Sequence, residues 1–256
     1  CVKLWSSFDY FGCCCLEFEL LDVSVFEFMK NNSFQAYSLS QVKHMGQQLL
    51  TALQFLHDRN IIHTNVRPES VMFVDSSYDV IVDPSTNQSY NNIKNTSIRL
   101  AHFESAVRSD SSNNMSVISA RQYKAIEVLL ELGWGNKCDI WSLACVLFEF
   151  YTADTLFQSH SNLEHLAMME ATLGTIPSHI CLNSKKPKLF LNGRLRWDHN
   201  SKEGRYVLKN SKPLKTYAKA NSEDDVNFMD LLRCMLNYDA CNRYTASEAL
   251  RHHLFL

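Results

Sequence analysis

The eight residues His63-Thr64-Asn65-Val66-Arg67-Pro68-Glu69-Ser70 sit at the junction of two contrasting patterns. Before them, apolar residues at Val42, Met45, Leu49, Leu53 and Leu56 follow the three-and-four spacing of a single helix face. Ser40 serves as the N-cap of that helix, which is predicted to last to about His57. After them, residues 71–74 read as a short buried strand. The helix therefore delivers the chain directly into a loop bearing an imidazole, a carboxamide and a guanidinium. Taken without its surroundings, Asn65 is a loop asparagine capping a turn.

Towards the N-terminus, residues 2–4 and 14–21 are β-rich and flank a turn-prone stretch at 9–12, which predicts a hairpin. Towards the C-terminus, residues 75–97 are rich in Asn, Ser, Asp and Tyr and read as a surface insertion, after which 98–101 resume as strand. A polar Ser/Asn segment runs from Phe103 to Ser119. Helical spacing then returns at 137–152, 162–173, 222–236 and 246–252. The expectation is an α+β fold that is mainly helical in its last two thirds. No internal repeat is present, and seven glycines are too few to punctuate many hairpins.

An apolar content of 46% over 256 residues supports a sizeable core. The formal charge of -2 gives no electrostatic case for nucleic acid or a membrane surface as the principal partner. The longest apolar stretch, 140–151, is too short for a membrane span of roughly 20 residues and reads as a buried helix. Nine cysteines, three of them adjacent at Cys13, Cys14 and Cys15, form an odd set without a CxxC pair, which argues against a disulfide framework or zinc knuckle and for a reducing compartment. No signal peptide is visible, so the Asn-x-Ser matches at Asn31, Asn87, Asn95 and Asn114 read as chance. The first residue is Cys1, and the chain is expected to be a fragment or a processed piece.

The remaining motifs fall in a familiar order. FELL stands at 18–21, FLH at 55–57, CDIWS at 138–142, GRYV at 204–207 and KPLK at 212–215. Residues 164–170 read EHLAMME, with Ala171 next. This order resembles the protein kinases, and within them the Clk or LAMMER dual-specificity family, whose signature helix reads EHLAMMER. The resemblance covers essentially the whole chain. It implies a protein-kinase-like fold, with residues 1–22 as the last two strands of the small lobe and the hinge, and 23–256 as the large lobe. Within the latter lie the insertion at 75–97, an activation segment at 102–127 and the signature helix at 164–170.

In such a kinase the loop reads His-x-Asp-x-Lys-x-x-Asn: the Asp takes the substrate proton, the Lys faces the transferring phosphoryl group and the Asn holds metal. The resemblance places Asn65, Arg67 and Ser70 there. The metal-binding Asp-Phe-Gly appears as His102-Phe103-Glu104, and the activation-segment Thr as Ala120. Magnesium prefers carboxylate and water oxygens, so His102 and Ser70 are degenerate metal positions. Phe18 matches the gatekeeper, Glu19 and Leu21 the hinge, and Met72 the floor beneath an adenine. Scaffold positions are kept: His63 and Phe103 in the hydrophobic spine, Asp139 bonding the loop backbone, and Glu127 with Arg243 as a buried ion pair. These 256 residues contain no G-x-G-x-x-G and no lysine in a V-A-I-K context. The family uses ATP and Mg, but no functional cofactor is expected here.

The resemblance thus implies an inactive binding module for Ser/Arg-rich splicing factors or active Clk-type kinases, nuclear or cytoplasmic. Two alternatives remain open: a Ser/Thr dual-specificity kinase whose small lobe lies outside this chain, and the product of a decayed gene copy. Other features have plain readings. His102 lacks the spacing of a zinc ligand, and Met168 and Met169 read as core. The basic stretch Lys185, Lys186, Lys188, Arg194, Arg196, Lys202 and Arg205, with Trp197 and Tyr206 interleaved, reads as a solvated face. Ser109, Ser111, Ser112, Ser116 and Ser119 fall where activation-loop phosphosites occur and read as polar loop. Exposed apolar interlobe surface and unpaired strand edges predict limited solubility or a partner.

Overall fold

The computed structural model describes residues 1–82, 87–109, 120–220 and 222–256. The chain opens with a hairpin of β1 (Leu4–Tyr10) and β2 (Cys13–Phe18). Tyr10 pairs with Cys13 across a two-residue turn in which both Phe11 (φ 48°) and Gly12 (φ 77°) are left-handed. That combination matches the right-handed strand twist. The hairpin was expected, but β1 runs six residues further than its β-rich run suggested, to Tyr10, and β2 ends three residues sooner, at Phe18.

Next come α1 (Val25–Asn31), α2 (Leu39–His57), β3 (Ile61–Ile62) and β4 (Val71–Phe73). The N-cap of α2 is Ser38, not Ser40. Its hydroxyl accepts the Gln41 N–H while the Gln41 side chain reaches back to the Ser38 N–H, a reciprocal capping box. The insertion contains a second hairpin, β5 (Tyr78–Val82) with β6 (Ser89–Ile93). All of β5 is exposed, but Ile93 is buried, and the Asn32 side chain bonds both the N–H and the C=O of Asn91 at 2.8 Å. The insertion is therefore docked on α1 at one end. Strand β7 (Ile98–Leu100) pairs antiparallel with β4, and β8 (Val107–Arg108) with β3.

The helical part follows: α3 (Ile126–Leu129), α4 (Lys137–Thr152), α5 (Asn162–Leu173), α6 (Ser178–Asn183), the short pair β9 (Phe190–Leu191) and β10 (Arg194–Leu195), α7 (Lys202–Asn210), α8 (Glu223–Met235) and α9 (Ala246–Leu250). The bounds of α4 and α5 are those the periodicity predicts. Helix α4 is buried on every side from Cys138 to Tyr151, which makes it the axis of the core. In α5, Leu166, Ala167, Met168 and Met169 are all buried, so the methionines are core and not a docking face. Helix α7 was not anticipated because only Gly204 and Val207 on it are buried. Gly204 is required there: a Cβ would lie 2.4 Å from the Asp198 carbonyl oxygen.

His165 and Glu149 are among the titratable groups buried in this core. The His165 imidazole is fully buried with neither nitrogen hydrogen-bonded among the described residues, and burial holds its pKa down to about 3. Glu149 on α4 accepts the Tyr123 hydroxyl at 2.7 Å, and burial pushes its carboxyl up to about 7. A carboxyl raised from 4.5 to about 7 on folding favours the fold below pH 4.5 and withdraws that contribution as the pH rises towards 7. Glu149→Gln keeps an acceptor for Tyr123 but cannot ionise. Urea titrations are expected to show wild type losing about 3 kcal/mol relative to this variant between pH 4.5 and 8, with the two equal at pH 4.

Candidate functional site

The loop at 63–70 takes its shape from one carboxylate. Asp139, in the first turn of α4 and buried, accepts the His63 N–H at 2.9 Å and the Thr64 N–H at 2.8 Å, and its Oδ2 lies 3.0 Å from His57 Nε2. These bonds hold Thr64 in the left-handed region (φ 67°), which a β-branched residue adopts only under constraint. The Thr64 hydroxyl donates onward to the Ser105 carbonyl at 2.9 Å. His63 is also buried. Its Nδ1 accepts the Asn65 N–H at 3.3 Å, so the proton sits on Nε2, which donates to the Ala101 carbonyl at 2.9 Å. Burial lowers the His63 pKa, and its ring stands edge-on to Phe103 at 5.0 Å. The two expected spine residues are thus in contact.

The side chains at the chemical positions are placed differently. Asn65 is half-buried and bonds through its main chain. Ser70 is fully buried, and its hydroxyl both accepts the Arg67 N–H at 3.1 Å and donates to the Arg67 carbonyl at 2.8 Å. The hydroxyl is turned into the loop it belongs to. The Arg67 Nε lies 3.9 Å from Glu69 and makes no hydrogen bond among the described residues. His102, left-handed at φ 63°, has its Nδ1 3.1 Å from Glu104 Oε1. The Glu104 carboxyl is held below its usual range, first by its own backbone N–H and further by His102. Ala120 caps the single turn Arg121–Tyr123 and packs against the core without a hydroxyl to offer the loop. Ser111, Ser112, Ser116 and Ser119 lie outside the described residues.

This donor set does not fit a hard divalent cation. The Ser70 oxygen is sequestered, an imidazole occupies the other position, and the added carboxylate of Glu104 is tied to that imidazole. Among the described residues no three His, Cys, Asp or Glu side chains converge as a metal site.

Beside the residues expected to form the hinge, the Asp22 N–H donates to the Phe73 carbonyl and the Phe73 N–H to the Val23 carbonyl, so Leu21 and Met72 flank one seam. Met72 pairs with Arg99 across β4–β7. Glu19 is committed elsewhere: its Oε1 accepts the Lys3 N–H at 2.8 Å and lies 3.4 Å from the Arg99 guanidinium. Phe18, at the end of β2, is 41% exposed.

The expected ion pair is present and buried. Arg243 meets Glu127 through two parallel bonds of 2.7 and 2.8 Å, donates further to the Lys137 and Asn237 carbonyls, and lies 5.0 Å over the Trp141 ring. Such a pair stays favourable because each charge is fully hydrogen-bonded. The basic stretch is spread over structural contacts: Lys186 pairs with Glu131 at 3.0 Å and Arg205 donates to the Asn200 carbonyl. Sequence reasoning missed the His102–Glu104 pair and the Tyr123–Glu149 bond. The i, i+2 acid after His102 was a visible signal for the first. The second joins residues 26 apart and carried none.

The protein kinase domain family matches residues 1–255. Dual specificity protein kinase CLK2 of Mus musculus is 44% identical over 255 residues, covering all of this chain and 51% of that protein. Serine/threonine-protein kinase Doa of Drosophila melanogaster is also 44% identical, over 260 residues and 31% of its length. The chain thus spans about half or less of the length of these relatives. A crystal structure of a kinase domain superposes with a TM-score of 0.87 at 30% identity, covering all of this chain and 77% of that one.

Asp139→Asn replaces one acceptor oxygen with an NH2 that faces a donor. Urea unfolding is expected to show a loss of about 2 to 3 kcal/mol, with the His63 and Thr64 amide protons exchanging faster than in wild type.

Proposed function

The chain belongs to the protein kinase family, and from that premise we propose that it is a binding module in which phosphotransfer is negligible. The observation that carries this reading is the Ser70 hydroxyl, closed on both polar groups of the Arg67 backbone and shut away from solvent. A metal ligand at that position must turn its oxygen to the site, and this one is buried against the loop backbone. Asn65 compounds the loss, because a carboxamide is a poor proton acceptor. General-base catalysis contributes on the order of 10²- to 10⁴-fold, and metal stabilisation several kcal/mol more. Losing both leaves little beyond positioning. ATP and Mg are the family's cofactors, and neither is needed for the role proposed here.

Its proposed partners are Ser/Arg-rich proteins or active Clk-type kinases, met in the nucleus or cytoplasm, for which the similarity to CLK2 and Doa is the support. A second reading rests on Glu104. Its exposed carboxylate, 3.1 Å from His102, returns an acid close to a metal position, which favours unconventional catalysis in a longer chain with an intact small lobe.

Incubation with Mg·ATP and a Ser/Arg-rich peptide distinguishes the two. We expect no phosphate incorporation above the Asn65→Ala background, together with retention of Ser/Arg-rich protein on the immobilised chain over an unrelated kinase lobe. Turnover that disappears in Asn65→Ala would overturn the reading, as would equal retention by the unrelated lobe.

A further inference from the structure

Away from the loop, a cavity of about 740 Å³ opens between the C-terminal turn of α5, the segment 213–218 and one face of α8. Its volume lies in the range of ligand sites. The walls are mostly apolar, contributed by Leu173, Leu214, Met229, Leu236 and Tyr238.

Three observations define what such a cavity would accept. Thr172 lines it, is 4% exposed, and its hydroxyl has no hydrogen-bond partner among the described residues. A buried hydroxyl left unpaired costs free energy that a ligand can recover. The end of α5 also supplies last-turn carbonyls without intrahelical donors and the negative pole of the helix. Glu170 adds a carboxylate whose Oε1 accepts the Ile176 N–H at 3.0 Å. The rim is thus rich in acceptors. Of the two cations there, Arg233 is already neutralised by Asp230 at 2.7 Å, and Lys215 is exposed, where solvent screens it. Finally, Ala171 stands on the wall at the position where the EHLAMMER motif carries arginine. The room adjoining its Cβ is room that an arginine side chain would enter from the helix itself.

We propose that this cavity binds an arginine side chain supplied by a partner polypeptide, its guanidinium donating to the Thr172 hydroxyl, the α5 carbonyls and Glu170 while its methylene stem lies along the apolar wall. The guanidinium suits the site because it carries five donors and no acceptor, and its stem buries readily. The inference rests on the binding-module reading for the class of partner, and cavity variants separate the two.

The test is calorimetric titration of the chain with the serine-free peptide acetyl-Gly-Arg-Gly-amide, and with the same peptide carrying citrulline, which keeps the shape and loses the charge. Saturable binding of the arginine peptide is expected, with the citrulline peptide weaker by at least about tenfold. Ala171→Arg fills the site from within and abolishes binding. Thr172→Val, which preserves volume, weakens it by about tenfold and serves as the decisive variant if Ala171→Arg does not fold. No saturable binding, equal binding of the citrulline peptide, or unchanged affinity in Thr172→Val would overturn the proposal. If Ser/Arg-rich protein is retained equally by wild type and Thr172→Val, the binding module stands and this site for it falls.

Discussion

A single buried carboxylate, Asp139, decides the shape of the part of the molecule where chemistry would occur. It receives two backbone amides, with the His57 ring at hydrogen-bond distance as a third contact. An unpaired charge at that depth would be expelled, so the loop must present its amides to α4 for the fold to exist at all. The left-handed Thr64, the tautomer of His63 and the contact of His63 with Phe103 follow from that requirement. Helix α4 is in turn fixed beside α3 by the Glu127–Arg243 pair, whose guanidinium also bonds the Lys137 carbonyl at the start of α4. The two buried charge arrangements therefore meet on the first turn of one helix.

What holds the loop and what would make it react are different atoms. Asp139 binds main-chain N–H groups, and Ser70 binds the main chain of Arg67. The side chains of Asn65 and Arg67 take little part in either. Substitutions at 65 and 67 can therefore leave the frame intact, because the bonds that hold it run through the main chain. The 44% identity to CLK2 and the TM-score of 0.87 to a kinase domain describe that frame.

Much of this was readable in the sequence where a long periodic pattern met a strong cap. Helices α4 and α5 have the predicted bounds because their spacing is sustained and their packing agrees with it. The start of α2 was misplaced by two residues because Ser38 and Ser40 are both good caps. The Gln three residues after Ser38 was the discriminating signal. The β5–β6 hairpin escaped because β5 is exposed on both faces, so no alternation of apolar and polar residues marks it. Helix α7 escaped for the related reason that it buries almost nothing. At the site, motif spacing pointed to Asn65, Arg67, Ser70 and His102. Spacing could not reveal that the Ser70 hydroxyl turns inward, because that depends on which backbone groups the folded loop leaves unpaired.

The inward-facing Ser70 has a bearing on how such a chain changes over generations. Because Asp139 holds the loop through main-chain amides and Ser70 closes it on the Arg67 backbone, substitutions at 65 and 67 are nearly invisible to selection for a folded product. Changes at Asp139, Glu127 or Arg243 are not. A lineage released from catalytic duty would then lose its reactive side chains early and its scaffold acids and bases late, and the order of loss becomes a clock that can be read from the main chain outward.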